Sequence, residues 1–109
     1  MGYKHIVLMG AAVLTVFSSL SARADAKADQ ARAEEIVSGR CFLCHGMEGE
    51  SASPVFPRLA GQHPRYIEDQ LKQFNSRERN NDNAVMHTVA SKLTELERHA
   101  VAEYIATLN

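Results

Sequence analysis

The chain has 109 residues, with 12 basic and 13 acidic side chains and a formal net charge of −1. That length bounds it to one domain. Charge of both signs is interspersed and no basic stripe forms, so nucleic acid is excluded as a partner.

The chain opens MGYKHIVLMGAAVLTVFSSLSARADA. Lys4 supplies a positive start, residues 6–17 are almost wholly apolar, and Ala22-Arg23-Ala24 offers small residues two apart. That order is the pattern of a secretory leader. The apolar run is about a dozen residues, short of the roughly 20 that span a bilayer as a helix. Ser18, Ser19 and Ser21 close it without a basic stop-transfer cluster, which argues against a retained anchor. A cleaved signal peptide is therefore predicted over 1–24, with Ala26 as the alternative cleavage point. The exported domain is 25–109, most simply in a bacterial periplasm. Lys4 and Arg23 leave with the leader, so the 85 residues that remain carry 10 basic and 13 acidic groups, a charge of −3. A core of that size is marginal alone and such domains enlist a staple.

Residues 27–39, rich in alanine and glutamate, suit a helix that Gly39 would end. Residues 46–63 hold glycine, serine and two prolines with no periodicity, and read as a long loop that needs a surface to lie on. Pro64 fits the first turn of a helix over 64–75, in which Ile67, Leu71 and Phe74 share a face. A polar stretch follows, then a short helix over 84–92. Thr94 and Glu97 form a capping box. Leu96, Ala100, Val101, Tyr104, Ile105 and Leu108 continue at helical spacing as its apolar face. No segment alternates as a strand would, so the fold class is all-α.

The two cysteines stand at 41 and 44, in Cys41-Phe42-Leu43-Cys44-His45. A redox-active pair would want a βαβ context, which is missing here. A structural zinc site needs about four ligands; Cys41, Cys44 and His45 are three, with His63 the one further candidate. The remaining reading is haem attachment. Two thiols one helical turn apart can add to the two vinyl groups of a haem, and the next residue can put an imidazole beneath the ring. Export suits this chemistry, and a bound haem supplies both the missing core and a flat surface for the 46–63 loop. The candidates for the opposite face of the iron are Met47, His63, Met86, His87 and His99. Met47 follows His45 too closely to reach it, and His63 and His99 read as surface residues. Met86 has enough chain behind it to return on the far side, and His87 competes with it by one residue of register.

Taken together, these motifs resemble the class I cytochromes c, and in particular the small monohaem group called c-five-fifty-three and one half of the di-haem c-four group. The resemblance rests on 41–46, on Phe56-Pro57-Arg58-Leu59-Ala60-Gly61-Gln62, on Tyr66-Ile67, Gln70-Leu71 and Phe74, on Arg79-Asn80-Asn81-Asp82, on Met86 with Ala90 and Leu93, and on 102–105. It implies about four to five short helices wrapped around one covalently bound haem c. Cys41 and Cys44 would form the thioethers, and His45 and Met86 would be the axial iron ligands. Pro57 would accept a hydrogen bond from the other nitrogen of His45, and Leu59 would pack on the haem. Arg79 would lie near a propionate. The terminal helices would cross, with Gly39 or its neighbours allowing close approach to the helix around Tyr104. Where the family often has a methionine pair, this chain has Val85-Met86, followed by an unusual His87.

The implied function is a periplasmic one-electron carrier between redox proteins, with no substrate bond broken and hence no enzyme activity of its own. A cytochrome subunit of a dehydrogenase or reductase and a haem ligand sensor are the alternatives. Methionine sulfur on iron implies a positive, fairly high potential. Contact with a membrane would come only through partner complexes, no small-molecule substrate is implied, and a single motif permits a homodimer.

Overall fold

The computed structural model describes the backbone of residues 3–109 and the side chains from residue 20 onward. Five α-helices follow in order: α1 (Tyr3–Ile36), α2 (Phe42–His45), α3 (Pro64–Ser76), α4 (Val85–Ala90) and α5 (Glu95–Ala106). No strand occurs among the described residues, and the all-α expectation holds. Most of the leader expected over 1–24 lies, in its side chains, outside the described residues. From residue 20 to 32 every residue of α1 is exposed, and Ala33 is the first to be buried. Among the described residues no helix is long and apolar enough to cross a membrane.

The core is a crossing of α1 with α5, backed by α3. Ala33, Ile36 and Val37 meet Val101, Ala102 and Ile105, and the predicted face of Ile67, Leu71 and Phe74 closes the third side. Ala90 and Leu93 complete it from α4 and the turn beyond. Two expectations fail here. Gly39 does not end the first helix: the chain runs from α1 into a π-helical turn, Val37–Cys41, and straight on into α2. A glycine caps by taking positive φ, and Gly39 is not among the positive-φ glycines. A Cβ placed on Gly39 would meet nothing within 4 Å, so it does not permit the close approach of the terminal helices either. The small buried residues of that crossing are Ala33 and Ala102. Leu96 is the second correction. It is 78% exposed, because it precedes Ile105 by nine residues, roughly 180° around a helix of 3.6 residues per turn.

The capping box forms as its sequence predicts. Glu97 N–H donates to the Thr94 hydroxyl at 3.1 Å, and Thr94 N–H donates to the Glu97 carboxylate at 2.9 Å. Glu97 also receives Arg32 of α1 at 3.2 Å, so the cap is tied to the helix crossing. Thr94→Ala is expected to cost about 1 kcal/mol, measured as a drop in the urea midpoint at unchanged slope.

His99 joins α5 to α3 through a 3.0 Å contact with Glu68, which Lys72 also approaches at 3.4 Å. The hydrogen bond to Glu68 raises His99 above its ordinary 6.5, and the same bond holds Glu68 below its ordinary 4.5 against the opposing effect of burial. A raised histidine contributes fully below its unfolded value and loses that contribution as pH climbs through the folded one. A lowered carboxylate contributes above its unfolded value and loses that as pH falls. The pair is therefore worth most between 4.5 and 6.5. Both groups are solvent-accessible, so the effect is small. His99→Gln is expected to narrow the difference in Tm between about pH 5.5 and about pH 8; an unchanged difference assigns that pH dependence to other groups.

Candidate haem site

The site starts with the π turn. Phe42 N–H donates to the Val37 carbonyl, a bond five residues back, and π turns of this kind are frequent at functional positions. Cys41, Cys44 and His45 follow at three and four residues, so they share one side of the helical turn. The two thiols are free. Cys41 is half-buried against the core, and burial pushes its thiol up to about 11, with Arg40 opposing. Cys44 is exposed and His45 is buried.

Gly46 then turns the chain through φ 84°, where a Cβ would stand 3.0 Å from the Ser51 nitrogen. That close approach lets Ser51 N–H donate to the His45 carbonyl at 2.8 Å. Gly49, at φ 73°, lets the loop fold back: its carbonyl accepts from Leu59 and Ala60 N–H at 2.9 and 3.1 Å. The Ser51 hydroxyl meets the carbonyls of Ser53 and Phe56. The loop so pinned delivers the Pro57 carbonyl to His45 Nδ1 at 2.6 Å. A carbonyl only accepts, so Nδ1 carries the proton and Nε2 is left as the nitrogen able to ligate. Phe56 meets the imidazole edge-on, with ring centres 6.3 Å apart. Leu59 is half-buried against the core.

Across the domain, α4 places Met86 half-buried against the same core. The other ligand candidates are placed as follows. Met47 is 84% exposed. His63 caps α3, accepting from Arg65 N–H at 3.3 Å. His99 pairs with Glu68, as above. His87 Nδ1 donates to the Phe74 carbonyl at 2.9 Å. Arg79 lies with its guanidinium 4.5 Å from the centre of the Phe74 ring and donates to Gln70 and Asn81, at 2.7 and 3.0 Å.

Asp82 is the residue that sequence reasoning missed. Its side chain is 3% exposed, and it takes Arg77 on one oxygen at 3.3 Å and the His87 backbone N–H on the other at 2.8 Å. Burial pushes its carboxyl up, yet the N–H groups of His87, Ala84 and Asp82 itself, with the Arg77 charge, together hold it below the usual range. Asn83 and Ala84 beyond it are left-handed, at φ 49° and 64°, a conformation that asparagine tolerates and that costs alanine about 1–2 kcal/mol. In the sequence Asp82 stands only as the end of Arg79-Asn80-Asn81-Asp82, with nothing to mark its carboxylate as buried.

Arg40, Leu43 and Cys44 face Thr88, Val89 and Lys92 of the α4 segment across an open cleft of about 360 Å³. Among the described residues no group of three His, Cys, Asp or Glu side chains is placed to hold a metal ion, and His63 is held at the start of α3 by Arg65 N–H. What the residues fit is a group needing two thiols at one edge, one imidazole nitrogen and an apolar surround.

The cytochrome c family profile matches residues 30–109. The chain is 42% identical over 83 residues to cytochrome c4 of Thiocapsa roseopersicina, which covers 76% of this chain and 40% of that protein. It is 32% identical over 81 residues to cytochrome c-554(548) of Halomonas halodenitrificans, covering 73% of this chain and 98% of that one. It is also 40% identical over 75 residues to the cytochrome subunit of sulfide dehydrogenase of Chlorobaculum tepidum, covering 69% and 66%. The chain thus spans less than half the length of the first of these and nearly all of the second. The chain belongs to the cytochrome c family. It is of the class I kind, and its cofactor is covalently attached haem c with iron.

Proposed function

We propose that the chain is a periplasmic one-electron carrier in which Cys41 and Cys44 hold the haem and His45 and Met86 are its axial ligands. The observation that carries this reading is the buried His45, which gives Nδ1 to Pro57 and keeps Nε2, one turn from two free thiols. When bound, the haem supplies an iron that changes charge by one with little movement, as six-coordination favours. The protein's residues supply the rest. Pro57 fixes the imidazole's tautomer and direction, Phe56 meets its edge and keeps water from it, and Leu59 would pack on the haem. The likeness to the cytochrome c family and the packing of Met86 against the core support Met86 over its neighbour. Thioether ligation gives a higher potential than a second imidazole would.

The test is the absorption spectrum of holoprotein made with periplasmic haem-attachment machinery. Ferric haem bound by methionine sulfur shows a weak far-red band. Met86→Ala is expected to abolish that band and admit carbon monoxide to the ferrous protein, while His87→Ala keeps the band. A wild-type protein without the band would overturn Met86 as ligand. The likeness to a sulfide dehydrogenase's cytochrome subunit supports a second reading, a subunit of a periplasmic dehydrogenase. Purification from the native cell at low salt separates the two, as a free haem protein or as one held in a stoichiometric complex with an enzyme.

A further inference from the structure

Met86 and His87 stand side by side on a helix of only six residues, Val85–Ala90. Successive helical residues point roughly 100° apart, so α4 can direct only one of them at the iron, and a rotation of that size at its first turn exchanges them. Such a short helix has little stability of its own to resist that rotation. Ala90, fully buried, holds the far end of α4 in the core, and the near end, where Met86 and His87 stand, is fixed from outside the helix. The Asp82 carboxylate grips the His87 backbone N–H at 2.8 Å, Arg77 anchors the carboxylate at 3.3 Å, and the Phe74 carbonyl takes the His87 ring at 2.9 Å. The turn between, Asn83 and Ala84, is left-handed at both residues and would relax if released.

We infer that Asp82 is a positioning residue that selects the iron's ligand: by gripping α4 at His87 it keeps Met86 toward the haem and His87 on Phe74. The inference rests on the Met86 ligation proposed above. Its failure is distinct, because without that ligation the wild type lacks the far-red band altogether.

The experiment compares Asp82→Ala, His87→Ala and the double variant as holoproteins. Asp82→Ala is expected to lose most of the ferric far-red band, and to lower the reduction potential, as His87 takes the iron. The double variant is expected to regain the band, because the competitor is gone. A band that survives Asp82→Ala overturns the inference. So does a band lost in Asp82→Ala and not regained in the double variant, which would make Asp82 a purely structural cap. If Asp82→Ala does not fold, urea titration of the wild type against His87→Ala decides. The band should vanish before the helical circular dichroism in the wild type and together with it in His87→Ala. Identical separation in both proteins overturns the inference.

Discussion

Replacing both thiols, Cys41→Ala with Cys44→Ala, is expected to leave all haem extractable by acidified acetone and the polypeptide largely unfolded at room temperature. Wild-type haem should stay with the protein through the same extraction. The reason lies in the core. Twelve apolar residues are buried among those described, and four of them are Ala33, Ala60, Ala90 and Ala102. Alanine buries little apolar area, and the burial of area is what offsets chain entropy. The helix that carries Met86 is short as well: α4 has six residues, far below the roughly 12–15 at which isolated helices become even marginal. A covalently held haem lets these pieces pack on something. Cys44→Ala alone should retain haem through Cys41, whose half-buried position against the core keeps that end of the attachment in place.

Ile105→Ala is expected to destabilise the holoprotein by about 2–5 kcal/mol, a large share of the roughly 5–15 kcal/mol of a typical domain. Ile105 is 2% exposed at the crossing of α1 and α5, among the largest fully buried side chains. Little can collapse into the space it would leave, because its neighbours there include Ala33, Ala102 and the stiff β-branched Val37 and Val101. Its backbone matters separately: the Ile105 carbonyl accepts from Gly61 N–H at 3.2 Å and ties the haem-side loop to the last helix. That bond survives the substitution, so the loss should read as stability, with the far-red band of the folded fraction unchanged. Urea unfolding followed by circular dichroism measures the first, and the spectrum below the transition measures the second. Leu96→Ala on the same helix, at an exposed position, should fall within about 0.5 kcal/mol of wild type.

Much of this molecule is local, and what is local could be read from the sequence. The capping box at Thr94 and Glu97, the apolar face of Ile67, Leu71 and Phe74, and the proline opening α3 need only a few neighbouring residues to be recognised. The reach of Pro57 to His45 spans twelve residues, and it came from resemblance, not from spacing. The misreadings share a cause. Gly39 looked like a stop because glycine usually is one, yet the backbone there is committed to carrying Cys41, Cys44 and His45 onward in a helix. Leu96 looked like core because it stands one turn before Ala100, although the helical period puts it opposite Ile105. Asp82 sat in a polar run without periodicity, and its role comes from Arg77 and His87 on either side of it, which only the folded turn brings together.

The π turn at Val37–Cys41 separates two design problems that share one helix. A straight α-helix would lock the orientation of Cys41, Cys44 and His45 to that of Ala33, Ile36 and Val37, since each residue turns by roughly 100°. The widened turn inserts a phase shift between them. The face that packs the terminal helices and the face that attaches the haem thus stand at an angle to each other that an unbroken α-helix could not give.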